Sequence, residues 1–371
     1  MAKKGQRPPL GGIINVYKPA GVSSFYIVNM LRRLLNVNKI GFDGTLDPFA
    51  EGVLPLYIGR ACAAIQYNEH SDKQYISLMS LGAETDSLDS TGEILAKEYL
   101  SLYDETSIVD NDCERVRNLL SSFVGEQVQE VPKFSAAKIN GRRFVDLARE
   151  GKDVPTRYKK INVYKAELLK YERRLPDEFI NYEYPAYANL SYPGHFYQKT
   201  RFRIEDKLID CPLGPFFLIE YHVSSGTYIR SLNHDLAKNL GHLGLTLRLL
   251  RSKHGPFDIA KAVTLDRLES WCQNGGDKKI LEANFDEILQ PIDMIFFQYP
   301  VIKLNSQFCR MLLQGKIIIK FSQKLADIKE SETDFGRAFF RIYNDDRFIG
   351  IAAQEGEDLR AERMFLGIED F

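Results

Sequence analysis

Residues 41 to 55 read Gly-Phe-Asp-Gly-Thr-Leu-Asp-Pro-Phe-Ala-Glu-Gly-Val-Leu-Pro, and they restrict the fold more than any other stretch of the chain. Three glycines, two prolines and three acids fall within fifteen positions. Gly44 and Gly52 permit backbone angles that other residues avoid. Pro48 pushes Asp47 out of helical geometry into an extended one. The sequence therefore predicts a stiff, non-helical loop carrying Asp47, with apolar Leu46 and Phe49 anchoring it in a core. A carboxylate held rigidly in such a setting can act as a nucleophile or a base. Aspartate before proline also starts ordinary turns, so these residues alone allow both readings.

The length of 371 residues suggests two or three domains. With 44% hydrophobic and 27% charged residues, the composition is that of an ordinary soluble globular protein. Forty-nine Lys and Arg against 50 Asp and Glu leave a formal charge of −1, so any polyanion site must come from local clustering. Cys62, Cys113, Cys211, Cys272 and Cys309 are scattered and form no CxxC pair, which fits a reducing cytoplasm. The histidines show no metal-binding spacing. Residues 1 to 9 form a basic arm with no apolar run of signal-peptide length after it, and no stretch is long enough to span a membrane.

Around the loop, Gly11 to Tyr17 reads as a buried strand and Lys18-Pro19-Ala20-Gly21 as a turn. Ser23 or Ser24 offers an N-cap for a helix with Phe25, Val28, Leu31 and Leu35 on its apolar face. Leu54 to Ile58 reads as a strand and Arg60 to Asn68 as a helix. Lys73 to Leu81 alternates as a strand, with Tyr75, Ser77, Met79 and Leu81 on one face and Ile76 and Leu78 on the other. The acidic residues 82 to 92 fail the calcium-loop template and read as a capped turn. Residues 93 to 125 read as helical.

From Lys133 to Lys160, nine basic residues face three acids, a local balance of +6, with Phe134, Phe144 and Tyr158 interleaved. That pattern suits phosphate contacts, and equally a solvated helix face. Ile161 to Tyr171, Phe216 to Val223 and Leu243 to Leu250 read as strands, and residues 231 to 240 as a helix stopped by Gly241. Arg230 falls where a strand and a glycine turn pass into that helix, a place from which a guanidinium can pair with a buried carboxylate. Residues 172 to 212, rich in Tyr, Pro and Asn, read as an insertion, and 260 to 293 as helical. Beyond Pro300 the chain turns to short strands at 317–320, 337–343 and 348–352, with Asn344-Asp345-Asp346 as a hairpin turn.

Several motifs coincide in order: Lys18-Pro19-Ala20-Gly21-Val22-Ser23-Ser24, Gly44-Thr45-Leu46-Asp47-Pro48, Lys73-Gln74-Tyr75 with Leu81-Gly82 and Thr85-Asp86, Phe134-Ser135-Ala136-Ala137-Lys138 with Gly141, and Gly226-Thr227-Tyr228-Ile229-Arg230. Together, over residues 11 to 257, they resemble the TruB family of pseudouridine synthases, which isomerise uridine in the T-loop of transfer RNA. The end of the chain resembles, more weakly, a PUA-type RNA-binding domain. The fold so implied is α/β of the α+β type. A catalytic domain over 11–293 has a mixed, largely antiparallel central sheet with flanking helices, and a small β-rich PUA-like domain covers 295–371. Residues 1–10 would be a flexible arm and about 130–160 a basic RNA-gripping thumb.

The resemblance makes Asp47 the catalytic aspartate acting on a flipped uridine. It leaves open attack on the base, attack on the sugar, or abstraction of a sugar proton. Tyr75 matches the tyrosine stacked on that base, and Arg230 the arginine paired with the aspartate. Tyr228 and Leu249 match residues lining the uracil pocket. Lys138, Arg142 and Arg143 fall in the thumb. No cofactor and no metal are implied. The implied partner is tRNA through its T-stem-loop, with no membrane, no obligate protein partner, and a monomer as the default.

Some positions depart from the family pattern. Phe42-Asp43 stands where His-Thr or His-Ala is usual. A phenyl ring can stack on a base but cannot titrate. Asp43 adds a carboxylate beside Asp47, expected to raise a pKa there or to weaken RNA binding. Val131-Pro132 and Leu250-Arg251 also depart, as does the insertion. The retained Asp47, Tyr75 and Arg230 favour an active enzyme over a non-catalytic RNA-binding or RNA-folding protein on the same scaffold. The same chemistry on another RNA is the third reading.

Overall fold

The structure is a computed structural model that describes residues 11–68, 71–174, 206–208, 210–268, 288–319, 321 and 338–368. In chain order its first elements are β1 (Ile13–Lys18), α1 (Ser24–Leu34), β2 (Ile40–Phe42), β3 (Glu51–Ile58), α2 (Ile65–Asn68), β4 (Lys73–Leu81), β5 (Ala83–Thr85) and β6 (Ile94–Lys97). Then come α3 (Leu102–Ser122), β7 (Gly125–Glu130), β8 (Lys138–Ile139), β9 (Arg142–Arg143), α4 (Phe144–Arg149), β10 (Tyr158–Glu172), β11 (Phe216–Val223), α5 (Ile229–Leu240), β12 (Gly244–His254) and β13 (Phe257–Asp258). The last are β14 (Leu289–Gln290), β15 (Val301–Lys303), α6 (Ser306–Leu313), β16 (Ala338–Asn344), β17 (Arg347–Glu355) and β18 (Asp358–Met364).

One large sheet runs β14-β1-β3-β12-β4-β11-β10-β7, with β2 added to β3 and β13 to β12. Its pairings are antiparallel except for β3 against β12. The period-two pattern of β4 does what alternation requires. Tyr75, Met79 and Leu81 join a core with Val116 and Leu120 of α3 and Leu232 and Leu236 of α5. Ile76 and Leu78 face the opposite core, which includes Leu245, Leu247 and Phe296. A third core sits under α1, where Ile27, Val28 and Leu31 meet Ile14, Leu54 and Leu56.

At the parallel joint β3 and β12 approach closely. A β-carbon on Gly52, whose φ is +113°, would sit 2.2 Å from the Arg251 carbonyl oxygen. Only glycine fits there. The joint brings the loop that precedes β3 against the end of β12.

The small sheet β15-β16-β17-β18 has its own core of Ile302, Leu312, Phe340, Ile342 and Ile349. Phe296, from the turn after β14, lies 6.0 Å from Phe348 and 5.8 Å from Phe365 between ring centres, which joins this sheet to the main one.

Several sequence expectations need correction. Ser23 does cap α1, accepting from Tyr26 N, but Phe25 is exposed rather than buried, and Ile27 and Met30 complete the apolar face instead. Residues 94–97 are a strand before α3, although their residues favour helix, because they pair with β5, and α3 itself is two helices joined at a kink where Asp110 to Cys113 leave helical geometry. Residues 59–64 are a 3₁₀ turn leading into α2. Of the expected helix 260–293, residues 269–287 lie outside the described residues, and 289–290 are strand β14, paired with β1. Most of the insertion, 175–205, also lies outside them.

Candidate active site

The Asp47 loop is tethered mainly through its backbone. Ser24 Oγ, on the first residue of α1, accepts from Leu46 N and donates to the Leu46 carbonyl, both at 3.0 Å. Gly21 N donates to the Pro48 carbonyl at 2.7 Å. The fully buried Lys18 ammonium donates to the carbonyls of Pro19 and Val22 at 2.9 and 2.7 Å and reaches Pro48 at 3.4 Å. Burial pulls its pKa down to about 7, with Glu51 and Asp47 opposing the fall. From the other side Arg251 Nη2 donates to the Gly44 carbonyl at 3.0 Å, and its Nε to that of Val53 at 2.8 Å.

Asp47 Oδ2 lies 2.8 Å from Arg230 Nη2. Arg230, in the first turn of α5, is 3% exposed. Its Nη1 also reaches Asp89 Oδ2 at 3.1 Å and the Ser87 carbonyl at 2.7 Å, and its Nη2 reaches the Phe134 carbonyl at 2.9 Å. Burial works against this charge, but Asp47 and Asp89 outweigh it and hold the guanidinium above its ordinary pKa. Asp89 is itself fixed by Thr91 N and Oγ1, at 2.9 and 2.6 Å. The acidic turn is therefore self-capped, as its sequence indicates, and is also a support for Arg230. Sequence reasoning missed that second role.

Two cavities meet at this ion pair, and both are lined by Asp47 and Arg230. The smaller, about 380 Å³, is also lined by Tyr75, Tyr228, Leu249, Lys73 and Arg251. Tyr75 stands on β4 in register with Arg251 on β12. Burial pushes the Tyr75 hydroxyl pKa up, against that guanidinium. Tyr228 is positioned by the Gln129 side chain, which accepts from Tyr228 N at 2.8 Å and donates to its carbonyl at 3.0 Å. Asp47, Tyr75, Tyr228, Leu249 and Arg230 are thus brought together.

The larger cavity, about 900 Å³, is lined by Phe42, Phe49 and Phe134 with Lys138 and Arg143. Arg142 lines neither cavity and pairs with Glu150, while Arg143 makes two bonds to Asp146 at 2.8 and 3.0 Å. The thumb therefore neutralises part of its own charge.

Asp43 lines the small cavity with Asp47 but makes contacts of its own. It is 3% exposed beneath the loop, where it accepts from Asn68 Nδ2 at 2.9 Å. Burial alone would raise its pKa, but His254, Lys73 and Arg251 outweigh burial and hold it low.

Among the described residues no group of three or more His, Cys, Asp or Glu side chains is placed to hold a metal ion, and no helix is long and apolar enough to cross a membrane.

The sequence profile for "TruB family pseudouridylate synthase (N terminal domain)" matches residues 32–184. A tRNA pseudouridine synthase B of Clostridium tetani is 30% identical over 358 residues, covering 96% of this chain and 100% of its own. One from Francisella philomiragia is 31% identical over 365 residues, covering 98% and 97%. The chain belongs to the TruB family. Among solved structures, the TruB chain superposes on one from a Cbf5-Nop10-Gar1 complex with a TM-score of 0.59 at 21% identity, covering 96% of this chain and 86% of that one. A chain of an H/ACA RNP bound to a substrate RNA gives 0.58 at 19%, covering 98% and 92%. At those identities the likeness speaks for the fold. It is the mixed α/β fold, with a central mixed sheet and a C-terminal β domain, that the TruB motifs imply.

Proposed function

We propose that this chain is a tRNA pseudouridine synthase that isomerises the T-loop uridine, position 55 of the tRNA, to pseudouridine. The observation that carries this reading is the Asp47–Arg230 contact at 2.8 Å, set in the wall of a cavity lined by Tyr75, Tyr228 and Leu249. A base inside a folded RNA loop must leave its stack to be reached, and aromatic walls recover part of the lost stacking. In the reaction the N1–C1′ bond breaks and a C1′–C5 bond forms. C5 loses a proton and N1 gains one, so the isomerisation balances without oxidation or reduction.

In this reading Asp47 is the nucleophile, and Arg230 orients its carboxylate. Tyr75 stacks on the uracil, while Tyr228 and Leu249 close the pocket. Phe42 offers a ring to RNA in the larger cavity, and Lys138, Arg142 and Arg143 meet phosphates. Residues 11–293 form the catalytic domain and 295–371 a PUA-like RNA-binding domain. The protein works on the T-stem-loop as a cytoplasmic monomer without an obligate protein partner. Relatives named tRNA pseudouridine synthase B, which cover nearly the whole chain, support the activity.

A T-stem-loop transcript tritiated at uridine C5 tests the reading, because the label leaves as water only when the new bond forms. The wild-type protein is expected to release it. Asp47→Asn is expected to release none while RNA affinity stays within severalfold. Undiminished release by that variant overturns the nucleophile assignment, and no release by the wild type overturns the activity.

A further inference from the structure

Asp43 sits one residue before Gly44, whose φ of +63° turns the chain so that Asp43 points under the loop. Around it are His254 Nε2 at 3.0 Å, off the line of a well-aligned hydrogen bond, and Asn68 Nδ2 at 2.9 Å. The two charged groups that bear on it most are Lys73, 5% exposed, and Arg251, fully buried. The four partners come from α2, the first residue of β4, and the end of β12. A β-carbon on Gly44 would lie 2.9 Å from His254 Cε1, 3.2 Å from Lys73 Cε and 3.3 Å from Arg251 Nη1, so the loop rests directly on this group. His254 is neutral at neutral pH. Burial pulls its pKa down to about 4, with Asp43 opposing. Two buried cations thus face one buried carboxylate, since Asp47, beyond Gly44, is committed to Arg230.

We propose that Asp43 is a positioning residue for the catalytic loop. Its carboxylate balances Lys73 and Arg251 beneath Gly44, with His254 as a neutral packing partner, so that Asp47 and Tyr75 keep their places across the small cavity. The proposal rests on the function given above. Asp43 is among the residues that line the small cavity and His254 is not; the role assigned to both is to act through Asp47 and Tyr75. The physical ground is that an unpaired buried charge is costly, and a buried lysine relieves the cost by losing its proton. Burial already lowers Lys73 to about pKa 8. Asp43 and Asp72 oppose that fall, while Arg251 and Lys159 add to it. Asp43 is the largest of the groups holding the proton on. Without that proton Asp43 has one cation fewer, and the loop loosens.

The test is Asp43→Asn in the full chain, which keeps the shape of the side chain and removes its charge. Tritium release is followed from pH 6 to 9, with Asp43→Glu as the charge-keeping control. The expected result is a fall in kcat of about tenfold or more with KM within about threefold, as for a group that places the reacting carboxylate. The alkaline limb that Lys73 imposes on the wild type is expected to disappear in Asp43→Asn, because no carboxylate then depends on the lysine proton. Asp43→Glu is expected to keep the wild-type limb. Lys73 is followed separately by NMR of ¹³Cε-labelled lysine, where its titration should move down in Asp43→Asn. This readout does not depend on turnover, so it decides the charge balance even if the proposed activity fails in the wild type. Should Asp43→Asn fail to fold, the double variant Asp43→Asn/Lys73→Met, which removes one charge of each sign, is expected to fold. A folded Asp43→Asn that keeps the wild-type limb and an unmoved Lys73 titration overturns the proposal. A double variant that unfolds as the single one does also overturns it.

Discussion

Arg230→Lys separates charge from geometry at the centre of the site. The guanidinium makes four polar contacts within 3.1 Å, to Asp47, Asp89 and the carbonyls of Ser87 and Phe134. It is 3% exposed, so water does not replace a lost contact. A lysine keeps the positive charge, and the larger penalty of an unpaired buried carboxylate is not incurred. An ammonium is a point charge without the planar fork, however, and on its shorter reach it leaves about two of the four acceptors without a donor. Each buried orphan costs about 1–2 kcal/mol, so the variant should be less stable by about 2–4 kcal/mol. For a chain of this size that corresponds to a fall of roughly 3–5 °C in Tm. Asp47, no longer held at 2.8 Å by a fixed donor, should cost about 100-fold in the rate of the chemical step. Thermal unfolding and single-turnover tritium release measure the two effects on one preparation. Stability within 0.5 kcal/mol of wild type together with a rate within twofold would refute the view that fork geometry, and not charge alone, positions the carboxylate.

Two further perturbations address the thumb and the loop's first tether. Charge reversal at Arg142 and Arg143 should weaken RNA binding and reduce the slope of log affinity against log salt by about 1–2, the loss of one or two phosphate contacts. An unchanged slope would mean that these arginines serve only Glu150 and Asp146. Lys18→Met should flatten the dependence of stability on pH. The folded-state pKa of Lys18 is about 7, below its ordinary 10.5, so between those values the unfolded chain binds the extra proton. Wild-type stability therefore gains from this group as pH rises through that window, by up to about 1.4 kcal/mol per pH unit, and loses it as pH falls toward 7. Urea titrations from pH 6.5 to 9.5 check this, and parallel curves for the two proteins would refute it.

What could be read from the sequence follows the range of the interactions concerned. Strand β4 was legible because its period-two pattern is decided locally by two apolar faces. The Asp47 loop was legible because glycine and proline restrict the backbone wherever they occur. Asp89 was not legible as part of the site. A Ser- and Gly-rich acidic turn satisfies itself, and only a partner 141 residues away gives its second carboxylate oxygen a role. Residues 94–97 read as helix from their composition, and pairing with β5 overrode that preference. Arg142 and Arg143 read as free cations because the sequence shows net charge but not the ion pairs within α4 and its flanks.

The Phe42-Asp43 pair shows why charge adjacent in sequence is a poor guide here. The two side chains diverge just before the left-handed Gly44, Phe42 lining the larger cavity and the buried Asp43 the smaller. The same logic extends along the loop. The carbonyls of Gly44, Leu46 and Pro48 are each held by a donor from elsewhere in the chain. Thr45, Asp47 and Phe49, between and beyond them, line the larger cavity. With the backbone tethered and Leu46, Phe49 and Ala50 packed into the core, the loop does not need the Asp47 carboxylate for its own stability. That leaves Asp47 available to pair with Arg230 at a cavity wall, where a carboxylate buried for packing would have had to be neutralised. The tethers come from β1 and the turn after it, from α1 and from β12, so the chemistry of one short stretch depends on elements far apart in the chain.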